Sequence, residues 1–175
     1  MDFSRDADYK GPFDNEGIPL IDYGGLIGQR YNPWAVCHYA LANFQKYIQT
    51  KNKIYYTQFL KCSNWLIDHA KYCHNGSAIW IYDFSLVGNH NKPWISALAQ
   101  SYAISVLLRA FLLTEEEKFL ETAEKAFIPF TLSISEGGVQ TIDSEGNIFF
   151  EEDTSLRIPY ILNGFLFSLF GLYEF

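Results

Sequence analysis

Apolar residues along the chain follow two spacings, and the switches between them mark its elements. From residue 33 to 50, Val36, Tyr39, Ala40, Phe44 and Tyr47 recur at three and four, the spacing of one helix face. Asn32 supplies the cap, and Pro33 a first helical residue whose missing N–H would be unbonded there anyway. A second helix is predicted over 53–71, carried by Ile54, Tyr55, Phe59, Cys62, Trp65, Leu66 and His69. Over 77–85 the period shortens to two, with Ile79 and Ile81 set against Trp80 and Tyr82, which predicts a strand or extended arm. A third helix is predicted over 93–113. Thr114 and Glu117 then have the spacing of a capping box for a fourth. That cap gives Glu115, Glu116 and Glu117 a structural role at the positive end of a helix. The alternating runs 138–143 and 148–151 flank Ser144-Glu145-Gly146-Asn147 and predict a β-hairpin. A fifth helix runs from about 159 to the last residue.

Residues 1–31 hold no sustained period, carry turn signals at Gly24, Gly25 and Gly28, and read as an extended N-terminal arm. The rest, 32–175, reads as one helical domain. Pro33-Trp34, Pro93-Trp94 and Pro159-Tyr160 each open an apolar helix, and the first two are followed by an antiparallel mate. The expected fold class is all-α: an incomplete (α/α) toroid of helical hairpins with a short β-hairpin insertion. The last hairpin is incomplete, because helix five has no mate, and its exposed flank predicts a homo-oligomer. Residues 158–173 are nearly all apolar, yet a membrane span needs about 20 such residues and Asn163 would be costly in lipid. They read as a buried core helix, so no membrane partner is expected.

Composition narrows the function. With 49% apolar and 19% charged residues in 175, the chain suits one folded domain and excludes a disordered one. Fifteen Phe, 12 Tyr and 4 Trp supply either packing bulk or the lining of a cleft. A net charge of −7 argues against a nucleic-acid partner. Cys37, Cys62 and Cys73 form no CxxC, and Cys37 and Cys62 read as small buried apolar residues. No ligand spacing suggests a metal, and no Gly-rich phosphate loop is present, so no cofactor is expected. The opening residues are polar and charged, and no signal peptide is expected; the compartment stays open.

The candidate chemistry gathers in two loops, 80–94 and 138–160. They hold Tyr82, Asp83, His90, Trp94, Glu151, Glu152, Asp153, Arg157 and Tyr160. Aromatic faces stack on the C–H faces of sugars and carboxylates move protons, so the set suits carbohydrate chemistry. His90 reads as a solvated loop residue, and Asp83 as either a turn former or a site residue. Glu151 and Glu152 are adjacent, so on a strand they point to opposite faces and cannot act as a close pair.

The run WISALAQSYAISVLLRAFLLTEEEKFLETAEKAFIPF, then SEGGVQTID, then FFEEDTSLRIPYILNGFLFSLFGLYEF, resembles the C-terminal domain of D-glucuronyl C5-epimerases. The shared pattern runs through Ser96, Ala97, Ala99, Gln100, Ala103, Ile104, Ser105, Leu107, Arg109, Ala110 and Leu112 to Thr114. It resumes at the acidic pair and at Leu162, Asn163, Gly164, Phe165, Ser168, Leu169, Gly171, Leu172 and Tyr173. It covers about residues 94–175. The resemblance implies an (α/α) toroid domain and a uronic-acid-containing polysaccharide of the heparan type as partner. It also implies an isomerase reaction that turns D-glucuronic into L-iduronic residues through the C5 proton. A Glu of the family's acidic pair carries over onto Glu152 as acid/base. The animal enzymes have a Tyr after that pair, where this chain has Asp153. Tyr160 is the in-chain candidate for a second catalytic group, and Trp94, Gln100, Arg157, Asp83 and Tyr82 are candidate substrate contacts. Gln100 reads equally as a buried amide bridging helices. Two other classes stay open: a non-catalytic sugar-binding or interaction scaffold, and a toroid glycosidase or lyase with Glu152 and Asp83 as its carboxylates.

Overall fold

The computed structural model describes residues 2–84, 93–155 and 160–175. In chain order its elements are β1 (Ile21–Asp22), β2 (Gln29–Arg30), α1 (Pro33–Thr50), α2 (Lys53–His69), β3 (Lys71–Tyr72) and β4 (Ala78–Ile79). They continue with α3 (Ala97–Thr114), α4 (Glu117–Phe127), β5 (Gln140–Ile142), β6 (Ile148–Phe150) and α5 (Leu162–Glu174). The strands pair only as antiparallel hairpins, β1 with β2, β3 with β4 and β5 with β6. A helix-rich fold with one small hairpin was expected; the described residues hold three. The chain divides into two compact units, Met1–Asp68 and His69–Phe175.

In the first unit α1 starts as its sequence dictates. The Asn32 side chain accepts the Ala35 N–H at 3.2 Å, and Pro33 is the first helical residue. It ends at Lys51, held in the left-handed region (φ 58°), whose N–H bonds the Tyr47 carbonyl. Thr50 secures that turn: its hydroxyl donates to the Lys46 carbonyl and accepts the Asn52 N–H. Bulky rings join α1 to α2, with Phe44–Phe59 and Tyr47–Tyr56 centroids each 5.2 Å apart. Val36, Cys37, Ala40, Phe59, Cys62 and Leu66 are fully enclosed. Burial pushes both thiols, Cys37 and Cys62, up from their ordinary range, so they act as small apolar residues. Residues 1–31 are not simply extended. A 3-10 turn at Ser4–Asp8 lies on α1, tied by the Phe3 N–H to Gln45 Oε1 (2.7 Å), and β1–β2 forms around the Gly24, Gly25 and Gly28 turn. α2 stops at His69, two residues before the expected end, because Lys71 and Tyr72 pair with Ile79 and Ala78 instead.

In the second unit α3 begins at Ala97, not at 93. Trp94 exchanges both backbone hydrogen bonds with Tyr82, which keeps that stretch extended until Ser96 caps the helix by accepting the Ala99 N–H. The capping box expected at Thr114 and Glu117 does not form. Thr114 is the last residue of α3; its hydroxyl donates to the Ala110 carbonyl and accepts the Glu116 N–H, and Glu116 stands at the cap of α4, its side chain paired with Lys118 rather than capping the helix. Hairpin β5–β6 lies where the alternation placed it, with Thr141 facing Phe149. α5 starts at Leu162, three residues after the expected position. It is not a buried core helix throughout. Gly164, Ser168 and Gly171 are buried, whereas Leu162, Leu166, Phe170 and Tyr173 are exposed. Gly171 sits so close to α3 that a Cβ would strike the Ser101 carbonyl, and its N–H bonds Ser101 Oγ at 3.0 Å. Among the described residues, α3 is the helix long and apolar enough to cross a membrane, and 67% of it is buried within the protein.

Candidate functional site

The acidic pair follows directly on β6. Glu151 is held on both sides by its backbone: its N–H donates to the Val139 carbonyl (2.8 Å), and its carbonyl accepts the Ala97 N–H (2.9 Å). Its fully buried carboxylate accepts the Thr141 hydroxyl at 2.7 Å and the Tyr160 N–H at 3.2 Å. Thr141 comes from β5 and Tyr160 from just before α5, so Glu151 staples three segments together.

Glu152 faces elsewhere, as adjacency on an extended segment requires. Its half-buried side chain lies against α5 at Gly164, where a Cβ would overlap the carboxylate. Its Oε2 is buried and has no hydrogen-bond partner among the described residues. Burial, reinforced by the neighbouring charge of Asp153, raises this carboxyl above the usual carboxylate range. Asp153 itself accepts the Ser155 N–H and hydroxyl, at 2.8 and 2.6 Å, which shapes the turn after the pair.

The two loops singled out by sequence are laced together. Thr154 bonds both backbone groups of Ile95: its hydroxyl accepts the Ile95 N–H (3.1 Å), and its own N–H donates to the Ile95 carbonyl (3.3 Å). Trp94, one residue earlier, stacks on Tyr82 with centroids 4.0 Å apart and planes 13° from parallel. The Trp94 indole N–H donates to the Phe84 carbonyl at 2.7 Å, and Tyr82 is buried. One face of each ring is therefore occupied by the other. Asp83, between Tyr82 and Phe84, is exposed. Tyr160 is 44% exposed, adopts a left-handed backbone (φ 45°), and sets its ring edge-on to Phe149 at 5.2 Å. Arg157 and His90 lie outside the described residues.

Gln100 does not reach this site. It is fully enclosed, its Oε1 accepts the Trp80 N–H, and its Nε2 donates to the Ala78 and Ala126 carbonyls. Both N–H groups and one oxygen lone pair of the amide are thus used to join the β4 segment and α4 to α3. The bridging-amide alternative describes it, and a substrate contact would require breaking that bridge. Sequence reasoning missed Thr141 and Gly164. The hairpin alternation that exposed Gln140, Thr141 and Ile142 carried a signal for the first; the second sits inside the L-N-G-F run. No cluster of three or more His, Cys, Asp or Glu able to hold a metal occurs among the described residues.

The family model described as the D-glucuronyl C5-epimerase C-terminus matches residues 74–175. Over 81 residues, 46% of this chain, the sequence is 47% identical to a D-glucuronyl C5-epimerase of Caenorhabditis elegans. Over 183 aligned residues, 93% of this chain, it is 27% identical to an uncharacterised protein of Methanocaldococcus jannaschii. The aligned stretches span 13% of the nematode enzyme and 59% of the archaeal protein. The matched span takes in both laced loops, the acidic pair and α5, and by that match the chain belongs to the D-glucuronyl C5-epimerase C-terminal family.

Proposed function

We propose that residues 32–175 form a uronic-acid C5-epimerase-type domain, its helical hairpins arranged as part of an (α/α) toroid, acting on a heparan-type or related polysaccharide. Glu152 takes the C5 proton of a D-glucuronic residue, and the electron pair left on C5 delocalises into the sugar carboxylate. A second group returns a proton to the opposite face, giving L-iduronic acid with no net redox change. Tyr160 is the in-chain candidate for that second group. Arg157 is the candidate partner of the sugar carboxylate, and Trp94, Asp83 and Tyr82 supply contacts to the ring. The half-buried Glu152 side chain, whose buried Oε2 has no hydrogen-bond partner among the described residues, carries this reading. A carboxyl raised above the usual range, with one oxygen lacking a hydrogen-bond partner, is a stronger base than an ordinary carboxylate, which suits it to proton abstraction.

Incubation in D2O with a glucuronic-acid polymer tests it. Deuterium enters C5, and Glu152→Gln lowers the rate by roughly 10²–10⁴-fold. Asp153→Asn removes the charge that helps raise the Glu152 carboxyl, so the acid limb of the pH–rate profile moves to lower pH. No C5 label, or label undiminished in Glu152→Gln, overturns the reading, and reducing-end release would indicate a hydrolase instead.

A non-catalytic sugar-binding scaffold is the second reading. It is favoured by Tyr160, whose backbone is tied to Glu151 and whose ring packs on Phe149. The exposed Leu162, Leu166 and Phe170 of α5 support self-association in either case, and a light-scattering concentration series checks it.

A further inference from the structure

The first unit carries a cleft that the epimerase reading does not use. Its volume is about 440 Å³, within the range of small-molecule sites, and its lining comes from residues between 5 and 39, outside the span matched by the family model. Two ring systems form the walls, Trp34 from the first turn of α1 and Tyr9 from the segment after the 3-10 turn. Between them His38 is oriented by Asp6, whose Oδ2 lies 2.9 Å from Nε2. Arg5 and Lys10 stand at the exposed rim and form no ion pair among the described residues; of the two lining carboxylates, Asp6 is taken up by His38 and Asp8 lies 3.9 Å from Lys46 Nζ.

We propose that this cleft binds an acidic saccharide, a pyranose ring bearing a carboxylate. The face of an aromatic ring is electron-rich and attracts the slightly positive C–H face of a sugar, which a nearly flat apolar pocket would not select. The fork of Arg5 and the ammonium of Lys10 are placed to take the carboxylate, which a neutral sugar lacks. The Asp6–His38 pair offers a fixed polar edge for ring hydroxyls. These groups are local to the first unit: Trp34 and His38 lie one turn apart on α1, and Asp6 is brought to them because the 3-10 turn packs on that helix. The chemical class of the ligand follows from the uronic-acid reading, whereas the site is independent of Glu152.

Titration of the full chain with a glucuronic-acid-containing tetrasaccharide, followed by calorimetry and by the Trp34 indole signal in NMR, tests this. Affinity read at the Trp34 indole, which reports the cleft itself, is expected to weaken at least 10-fold in Arg5→Ala/Lys10→Ala, and the matching calorimetric phase to weaken as much in Trp34→Ala. The carboxyl-reduced tetrasaccharide is expected to bind at least 10-fold more weakly than the acidic one. Arg5 and Lys10 are exposed, so the double variant folds as the parent does, which a thermal melt checks. No shift of the Trp34 indole at millimolar sugar, equal binding of the reduced sugar, or an undiminished Trp34 shift in the double variant overturns the proposal. Loss of binding in the double variant without any C5 exchange in the parent would sustain the cleft and overturn the epimerase reading alone.

Discussion

Helices α1 and α3 have the same ends and opposite middles. Both are 18 residues long. Both are capped by a side-chain oxygen that accepts the third N–H along, from Asn32 and from Ser96. Both close with a threonine bonded back one turn and a left-handed residue after it, Thr50-Lys51 and Thr114-Glu115. Neither left-handed residue is glycine, so the threonine and the cap bond fix a conformation that the residue itself disfavours. Between those ends the helices diverge. α1 meets its mate through tilted rings, whereas α3 meets α5 where Gly171 closes onto Ser101. The fourth residue after the cap is the enclosed Val36 in one and the enclosed Gln100 in the other. The same backbone unit thus serves two uses. In the first unit a cleft with aromatic walls lies between the N-terminal segment and the start of α1. Where small residues let the helices close up, the space goes to a bonded loop bearing the acidic pair.

Four substitutions break this comparison in descending order. Phe59→Ala removes a fully buried ring from the aromatic interface and is expected to cost about 4 kcal/mol in urea unfolding. Gln100→Leu leaves the Trp80 N–H and two carbonyls without partners; it costs about 3 kcal/mol, while Val36→Leu, at the matching position, costs less than half of that. Gly171→Ala forces a methyl against the Ser101 carbonyl and costs about 2 kcal/mol, read as a lowered urea midpoint. Arg109→Met has the smallest effect. It removes the two-pronged bond to Glu174 that pins the end of α5 to α3, a half-exposed pair worth about 1 kcal/mol. Burial alone would raise the Glu174 carboxyl, but hydrogen bonds from Arg109 and Ser105, with the Arg109 charge, outweigh it and hold it below the ordinary value of 4.5. A carboxylate with a depressed pKa stabilises the fold above its unfolded value. The clasp's contribution is therefore present at neutral pH and lost as the pH falls below 4.5, a loss absent from Arg109→Met.

Local chemistry made much of this legible. Asn32-Pro33, the Phe59 and Leu66 stripe, and the SEGN turn each act within a few residues, and α1, α2 and β5–β6 stand where those signals placed them. The errors arose where a distant strand or turn competed. Pro93-Trp94 looks like a helix start, but pairing with Tyr82 keeps it extended. Thr114 looks like an N-cap, yet its hydroxyl closes the preceding helix, as that of Thr50 does. At the site, the opposed directions of Glu151 and Glu152 were predictable from adjacency. Which of them would be satisfied was not, because the partners of Glu151 are Thr141 and Tyr160, ten and nine residues away.

By itself the sequence determined the helical hairpins, the Asn32 cap of α1, the β5–β6 turn and the family to which the acidic pair belongs, because each depends on short-range periodicity or on an ordered run of residues. Tertiary structure decided that Gln100 is a bridge, that Trp94 and Tyr82 stack on each other, and that Glu152 has a buried oxygen without a hydrogen-bond partner among the described residues. The physical reason is that desolvation and hydrogen-bond satisfaction depend on what approaches from elsewhere in the chain. Residue type alone leaves two adjacent glutamates equivalent; bonding to Thr141 makes Glu151 a structural anchor, and burial against Gly164 makes Glu152 the carboxyl with the raised pKa.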